Sequence, residues 1–458
     1  MGVKIVPPAE VAMATTQTAT LLNPTLLARL DEARSRTDSF FDLLPPNCLY
    51  ERPVPERHRL IFYLGHLEAF DWSLLSGELG LASQKCQLDK LFAFGIDPVG
   101  GGLPSDTPAD WPAIVQVEQY RSNIRDRLDD ALRCSRSPSS CFSNETLLNV
   151  AIEHRLMHAE TLVYLLHNLP LEKKIPGAPP LPHPRPSPRP GQVAIPSGVA
   201  TLGQRRGSHE FGWDNEFEEQ RVEVLMFSID AFPVTNGEYL KFVRAGGYQE
   251  SRYWELQDWE WRGAHHIDHP GFWIPLPHSA ASDPAAPWAY RAMFGDIPLP
   301  LSWPVYVSHA EASAFARWAG KKLPTEAQWH RAAYGTAQGE EREYPWGDAP
   351  PDASRGNFHY FSWDPTSVDA HPEGASAFGV FDLLGNGWEW TSTPFAPLPG
   401  FQAFSFYPGY SADFFDGKHF VMKGGSPRTD ACMLRRSFRN WFQPHYPYVY
   451  ATFRCVEE

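Results

Sequence analysis

The chain has 458 residues and a formal net charge of -14, an acidic balance that excludes a general nucleic-acid or anionic-membrane surface, since both need basic patches. At ~150 residues per domain this length implies two or three units, and 43% hydrophobic residues can fill their cores. Six cysteines without a CxxC pair exclude a disulfide scaffold, and no apolar run reaches the ~20 residues of a membrane span, so small-molecule partners in a reducing, cytoplasmic setting are expected.

The opening MGVKIVPPAEVAMATT lacks the apolar core of a secretory leader, and Val6 stands where a myristoylation signal requires Ser or Thr. Residues 15–175 then read as helical. The stretches LLNPTLLARLDEARSRTDSFFDLL, HRLIFYLGHLEAFDWSLL, VEQYRSNIRDRLDDALRC and NETLLNVAIEHRLMHAETLVYLLHNL carry apolar residues near helical spacing and predict a four-helix bundle. Asn144 or Ser143 is the expected cap of the last helix. Residues 176–191, PGAPPLPHPRPSPRPG, cannot continue a helix or a central strand and predict an extended linker. Residues 192–458 are rich in Gly, Pro, Trp and short β-like runs, as expected of an irregular α+β domain. One clear helix, SHAEASAFARWAGKK, starts at Ser308 with Glu311 as its capping-box partner.

The strongest chemical signal is His154-Arg-Leu-Met-His158-Ala-Glu160. Two imidazoles at i and i+4 share one helix face and can grip one ion. A third ligand is expected from another helix, and His66 in YLGHLEAFDW has the apolar neighbours of a bundle core. Glu160 could hydrogen-bond a ligand's ring N–H or itself replace a histidine. His58 and His167 read as surface or packing residues. Nitrogen ligands suit Fe(II), Zn, Cu or Ni, and spacing does not choose among them.

Together, His66 and HRLMHAE resemble the DinB-like bundle domain of the sulfoxide synthases of ergothioneine biosynthesis. The segments SIDAFPVTNGEYLKF, WPVYVSHAEASAFARWAGKKLPTEAQWHRAA, VFDLLGNGWEWTSTPF and VMKGGSPRTD, with RRSFRNWF and ATFRC, resemble the formylglycine-generating-enzyme fold, which is C-type-lectin-like. The resemblance implies Fe(II) at His66, His154 and His158, with O2 as co-substrate. It implies formation of a C–S or C–Se bond to the imidazole of hercynine (trimethylhistidine). Asn440 and Trp441 in RNWF match the family's hercynine-binding positions. Trp388 and Trp390 in GNGWEW are available as aromatic walls, although GNxWEW is also a fold signature whose tryptophans pack in cores; Trp390 is carried as a binding candidate. The family's proton-donating Tyr falls in FAPLPGFQAFSFYPGYSADFFDGKHF, where Tyr410 is the candidate and Tyr407 the reserve.

Where family members that use γ-glutamylcysteine carry Asp and Arg after RNW, this chain has Phe442 and Tyr446. Missing charged anchors disfavour an amino-acid thiol and favour an uncharged polar donor such as a thio- or selenosugar, with Phe442 in its binding site. The chain resembles most the selenoneine synthase branch, which joins a selenosugar's selenium to hercynine. The alternatives are an ergothioneine sulfoxide synthase using cysteine or γ-glutamylcysteine, a formylglycine-generating oxidase, a zinc enzyme using the bundle alone, and a non-catalytic binding module. The oxidase needs a close Cys pair, whereas Cys432 and Cys455 read as separate core residues.

Overall fold

A computed structural model describes residues 24–82, 87–93, 103–134, 144–180, 186–208, 210–276 and 288–457. The first half contains α1 (Pro24–Phe41), α2 (Leu60–Leu75), a short α3 (Gln87–Leu91), α4 (Ile114–Cys134) and α5 (Asn144–Asn168). Helix α1 packs on α5, and α2 packs on both α4 and α5. The four long helices form the expected bundle. Helix α2 departs from the amphipathic expectation, because every residue from Leu60 to Ala69 is buried. A helix that is apolar all round belongs inside. No described helix is long and apolar enough to cross a membrane. Ser143 and the Asn144 side chain, the expected caps of α5, lie outside the described residues.

Buried charges fix how α2 and α5 line up. Arg155 on α5, fully buried, donates from Nε to Asp71 Oδ2 at 2.9 Å and from Nη2 to Glu68, both on α2. Arg125 on α4 donates to Glu68 at 2.8 Å and to Asp38 of α1 at 2.6 Å. Opening one such buried pair leaves a stranded charge at a cost of about 3–5 kcal/mol. The clamp therefore locks the register of two helices at positions beside His154 and His66.

Where described, the Pro-rich stretch forms neither helix nor strand, and it is pinned to the second half. Ser187 Oγ donates to the Leu301 carbonyl at 2.7 Å, and the Ala231 N–H donates to the Gly191 carbonyl at 2.8 Å.

The second half contains β1 (Gln192–Ile195), β2 (Gly198–Leu202), β3 (Gln220–Val224), β4 (Phe227–Asp230), α6 (Asn236–Arg244), α7 (Leu256–Ala264), β5 (Trp273–Pro275), β6 (Trp288–Ala292) and β7 (Gly295–Pro298). Helices α8 (His309–Trp318) and α9 (Glu326–Tyr334), strand β8 (Gly387–Pro394), α10 (Gly409–Ala412) and strands β9 (Phe420–Gly425), β10 (Asn440–Phe442), β11 (Ala451–Thr452) and β12 (Val456–Glu457) follow. The sheet that matters for the site runs β10-β9-β8-β11, with Trp441 opposite Val421 and Trp388 opposite Gly424. The Ser308–Glu311 capping box starts α8 as expected. In β8, Glu389 points away from the bundle into the domain core. There it accepts from Trp329 Nε1 at 3.0 Å and from both Arg454 Nε and Nη2 at 2.6 Å.

One stripe of α5 faces the second half. Glu153, Met157, Glu160, Tyr164 and His167 recur at spacings of four and three, so they share a face. Glu153 accepts from Trp213 Nε1 at 2.8 Å and Arg435 Nη1 at 2.7 Å. Tyr164 accepts from the Tyr446 hydroxyl at 3.3 Å. His167 donates from Nε2 to the Arg291 carbonyl at 2.9 Å and accepts at Nδ1 from the Tyr450 hydroxyl at 3.0 Å.

Candidate metal centre and substrate cavity

The structure brings His66, His154 and His158 together. One candidate ligand nitrogen from each lies within 4.8 Å of the others, and all three side chains are buried. The Nε2 atoms of His154 and His158 are 3.1 Å apart. His66 donates from Nδ1 to the Phe92 carbonyl at 2.7 Å, a bond that fixes the tautomer and leaves Nε2 as the lone-pair donor. Gly65 makes room for that bond: a Cβ there would come within 2.4 Å of the Phe92 ring, so glycine lets this ring lie against α2. Phe70 stacks flat on His154, centroids 3.4 Å apart, and Phe62 stacks on His66 at 4.8 Å.

Burial sets the protonation of the cluster. It pulls the His66 pKa down to about 4 and, with repulsion from neighbouring rings, holds His154 and His158 well below the ordinary value. Three neutral imidazoles with facing nitrogens suit a soft-to-borderline divalent cation, and two buried Nε2 atoms at van der Waals range need a cation or a proton between them. The donor set fits a metal ion bound by three nitrogens.

Glu160 is not part of that set and does not back a histidine ring. Its carboxylate accepts from Trp388 Nε1 at 2.8 Å, Ser426 Oγ at 2.6 Å and Thr429 Oγ1 at 2.9 Å, all in the second half. At 100° per residue it lies about 200° around α5 from His158, which is why it seals the domain interface instead.

The histidines open on a cavity of about 780 Å³ between the halves. Tyr410, Tyr407, Asn440, Trp441, Phe442 and Trp388 are among the residues that wall it. Trp441 stacks on Phe395 at 4.1 Å, with Tyr410 edge-on at 5.5 Å. Tyr410 itself stacks on Trp213 at 4.0 Å, and its hydroxyl donates to Met157 Sδ at 3.5 Å. Burial pushes its pKa well above the usual phenol value, so the hydroxyl keeps its proton. Tyr407 packs edge-on against Phe70 at 5.4 Å.

Trp390 needs correction: it is not on the cavity wall. It is fully buried two positions further along β8, and its Nε1 donates to the Val307 carbonyl at 2.9 Å. Trp388 takes the wall position, anchored by Glu160. Cys455 is fully buried and Cys432 partly so; burial drives both thiols well above their ordinary pKa, which disfavours thiolate chemistry. Arg57, Gly65, Phe70 and Phe92 also build the site but carry no sequence motif. The spacing of Phe70 four residues after His66 is the one signal that pointed to any of them.

Residues 178–458 match the family described as the sulfatase-modifying factor enzyme 1-like domain, and residues 29–162 match the DinB superfamily. The chain is 35% identical over 361 residues to a hercynine oxygenase of Mycolicibacterium thermoresistibile, covering 77% of this chain and 76% of that one. It is 34% identical over 357 residues to a hercynine oxygenase of Mycobacterium tuberculosis, covering 77% and 79%. It is 28% identical over 497 residues to ergothioneine biosynthesis protein 1 of Neurospora crassa, across 91% of this chain and 56% of that protein.

Proposed function

The chain belongs to the family of hercynine oxygenases and ergothioneine biosynthesis proteins and itself pairs a DinB-type domain with a sulfatase-modifying-factor-like domain, and from that premise we propose that it joins selenium or sulfur to the imidazole of hercynine. The observation that carries this reading is the meeting of three neutral histidines with an aromatic wall in one cavity. His66, His154 and His158 would hold Fe(II), which when bound supplies the electron-transfer chemistry that lets O2 oxidise the two organic partners.

Trp441, backed by Phe395, offers a face for the trimethylammonium group, worth ~0.5–2 kcal/mol per good contact. Asn440, next to it, offers a side-chain amide for hercynine's polar end. Tyr410, protonated and fixed by Trp213, is the proton donor, with Tyr407 in reserve. The bonds from α5 to the second half keep the cavity walls in place, so both organic substrates are oriented before reaction.

A selenosugar is the donor this reading favours. Phe442 and Tyr446 wall the cavity with rings at positions where family members using γ-glutamylcysteine carry opposite charges. The second reading is an ergothioneine-type sulfoxide synthase, favoured by what the similar proteins are named for. Aerobic incubation of Fe(II)-loaded protein with hercynine and a panel of cysteine, γ-glutamylcysteine, a thiosugar and a selenosugar tests both, with mass spectrometry of the adduct. A selenosugar adduct is expected. Products from cysteine-type thiols alone would replace the selenium assignment, and no hercynine-dependent O2 uptake with any donor would overturn the reaction.

A further inference from the structure

Strand β10 divides the cavity wall. Trp441 faces Phe395, Phe414 and Tyr410, while the next residue, Phe442, turns the other way and stacks on Tyr446 at 5.2 Å. Over that second ring pair lies Arg57, from the segment before α2. Its guanidinium carbon is 4.9 Å from the Tyr446 ring centre and 6.0 Å from that of Phe442. The Nε–H donates to the Tyr446 hydroxyl at 2.7 Å, and that hydroxyl donates onward to Tyr164 on α5 at 3.3 Å. Arg57 is only 4% exposed, yet it belongs to the wall of the cavity.

A buried guanidinium on a substrate wall has a restricted choice of ligands. It only donates hydrogen bonds, its fork matches oxygen acceptors, and it repels cations. A quaternary ammonium is therefore driven to the Trp441 side, and the Arg57 side is left to the other substrate. We propose that Arg57, aimed by Tyr446, is the specificity residue for the chalcogen donor and binds the donor's oxygen-rich part, a carboxylate or sugar hydroxyls, while hercynine occupies the Trp441 side. This rests on the two-substrate reaction proposed above.

The test is steady-state kinetics of full-length, Fe(II)-loaded Arg57→Met, Arg57→Lys and Tyr446→Phe, varying hercynine and the donor separately, with a selenosugar and with cysteine. Bound metal is measured by elemental analysis and folding by thermal melting. Arg57→Met is expected to raise the donor KM by ~10-fold or more, as loss of a charge-assisted contact implies, with hercynine KM and metal content unchanged. Arg57→Lys should recover part of that loss. Tyr446→Phe, which keeps the charge and loosens its aim, should raise donor KM by a smaller factor and serves if Arg57→Met folds poorly. A loss confined to cysteine identifies a carboxylate contact, and a loss confined to the selenosugar identifies hydroxyls. Unchanged donor KM, or an equal or larger rise for hercynine, would overturn the assignment. If the wild-type chain forms no adduct at all, the reaction itself fails; an active wild type with unaffected Arg57 variants removes the Arg57 role alone.

Discussion

The histidine cluster sits on two helices, whereas the wall opposite it sits on a short strand and a long loop, and spacing predicts the two unequally. On α5 a rotation of 100° per residue separates His154 and His158, which turn to α2, from Glu153 and Glu160, which turn to the second half. In β8, Trp388 and Trp390 share a strand face, but only Trp388 reaches the cavity, because the neighbours of Trp390 belong to the domain core. Helical geometry is local and transferable. The place of a strand residue depends on which distant segments cover it.

That contrast can be broken experimentally. His154→Ala should abolish metal binding, a loss larger than the roughly 10–100-fold that removing a supporting hydrogen bond costs, as elemental analysis of metal-reconstituted protein would show. The second half should stay folded, since among the described residues no bond across the interface uses that ring. Glu153→Ala, one residue earlier, should do the opposite. It deprives buried Arg435 of one of two carboxylate partners and should lower unfolding stability in denaturant by about 3 kcal/mol while metal stoichiometry holds. If both variants lost metal equally, the two faces of α5 would not be separable.

On the opposite wall, Tyr410→Phe should cut kcat by ~100-fold with hercynine KM and metal unchanged, the effect of removing a positioned proton donor. An unchanged rate would move the role to Tyr407. Trp390→Phe should be the mildest. It removes one hydrogen bond to Val307, so a stability loss of ~1 kcal/mol is expected with no change in hercynine KM, and a raised KM would return Trp390 to the binding site.

The four long helices and the convergence of the three histidines were legible because both follow from a 3.6-residue period. The amphipathic reading missed how deeply α2 is buried, since its second covering surface comes from other helices and from the aromatics around Phe92 and Trp111. Of the roles open to Glu160, sequence proximity to His158 does not reveal the interface one, because it hides the half-turn between them. Arg57 was invisible for another reason: its partner Tyr446 lies 389 positions away, and no periodicity spans that distance.

Helix α5 carries two of the three clustered histidine rings on one side and the seam with the second half on the other. A helix is stiff over its 25 residues, so anything that shifts the seam also tilts the rings against His66. Occupancy and cohesion are therefore thermodynamically linked. An ion seated among the rings, or a small molecule touching both sides of the gap, works as a rivet, and a better-riveted molecule in turn holds its ion more tightly.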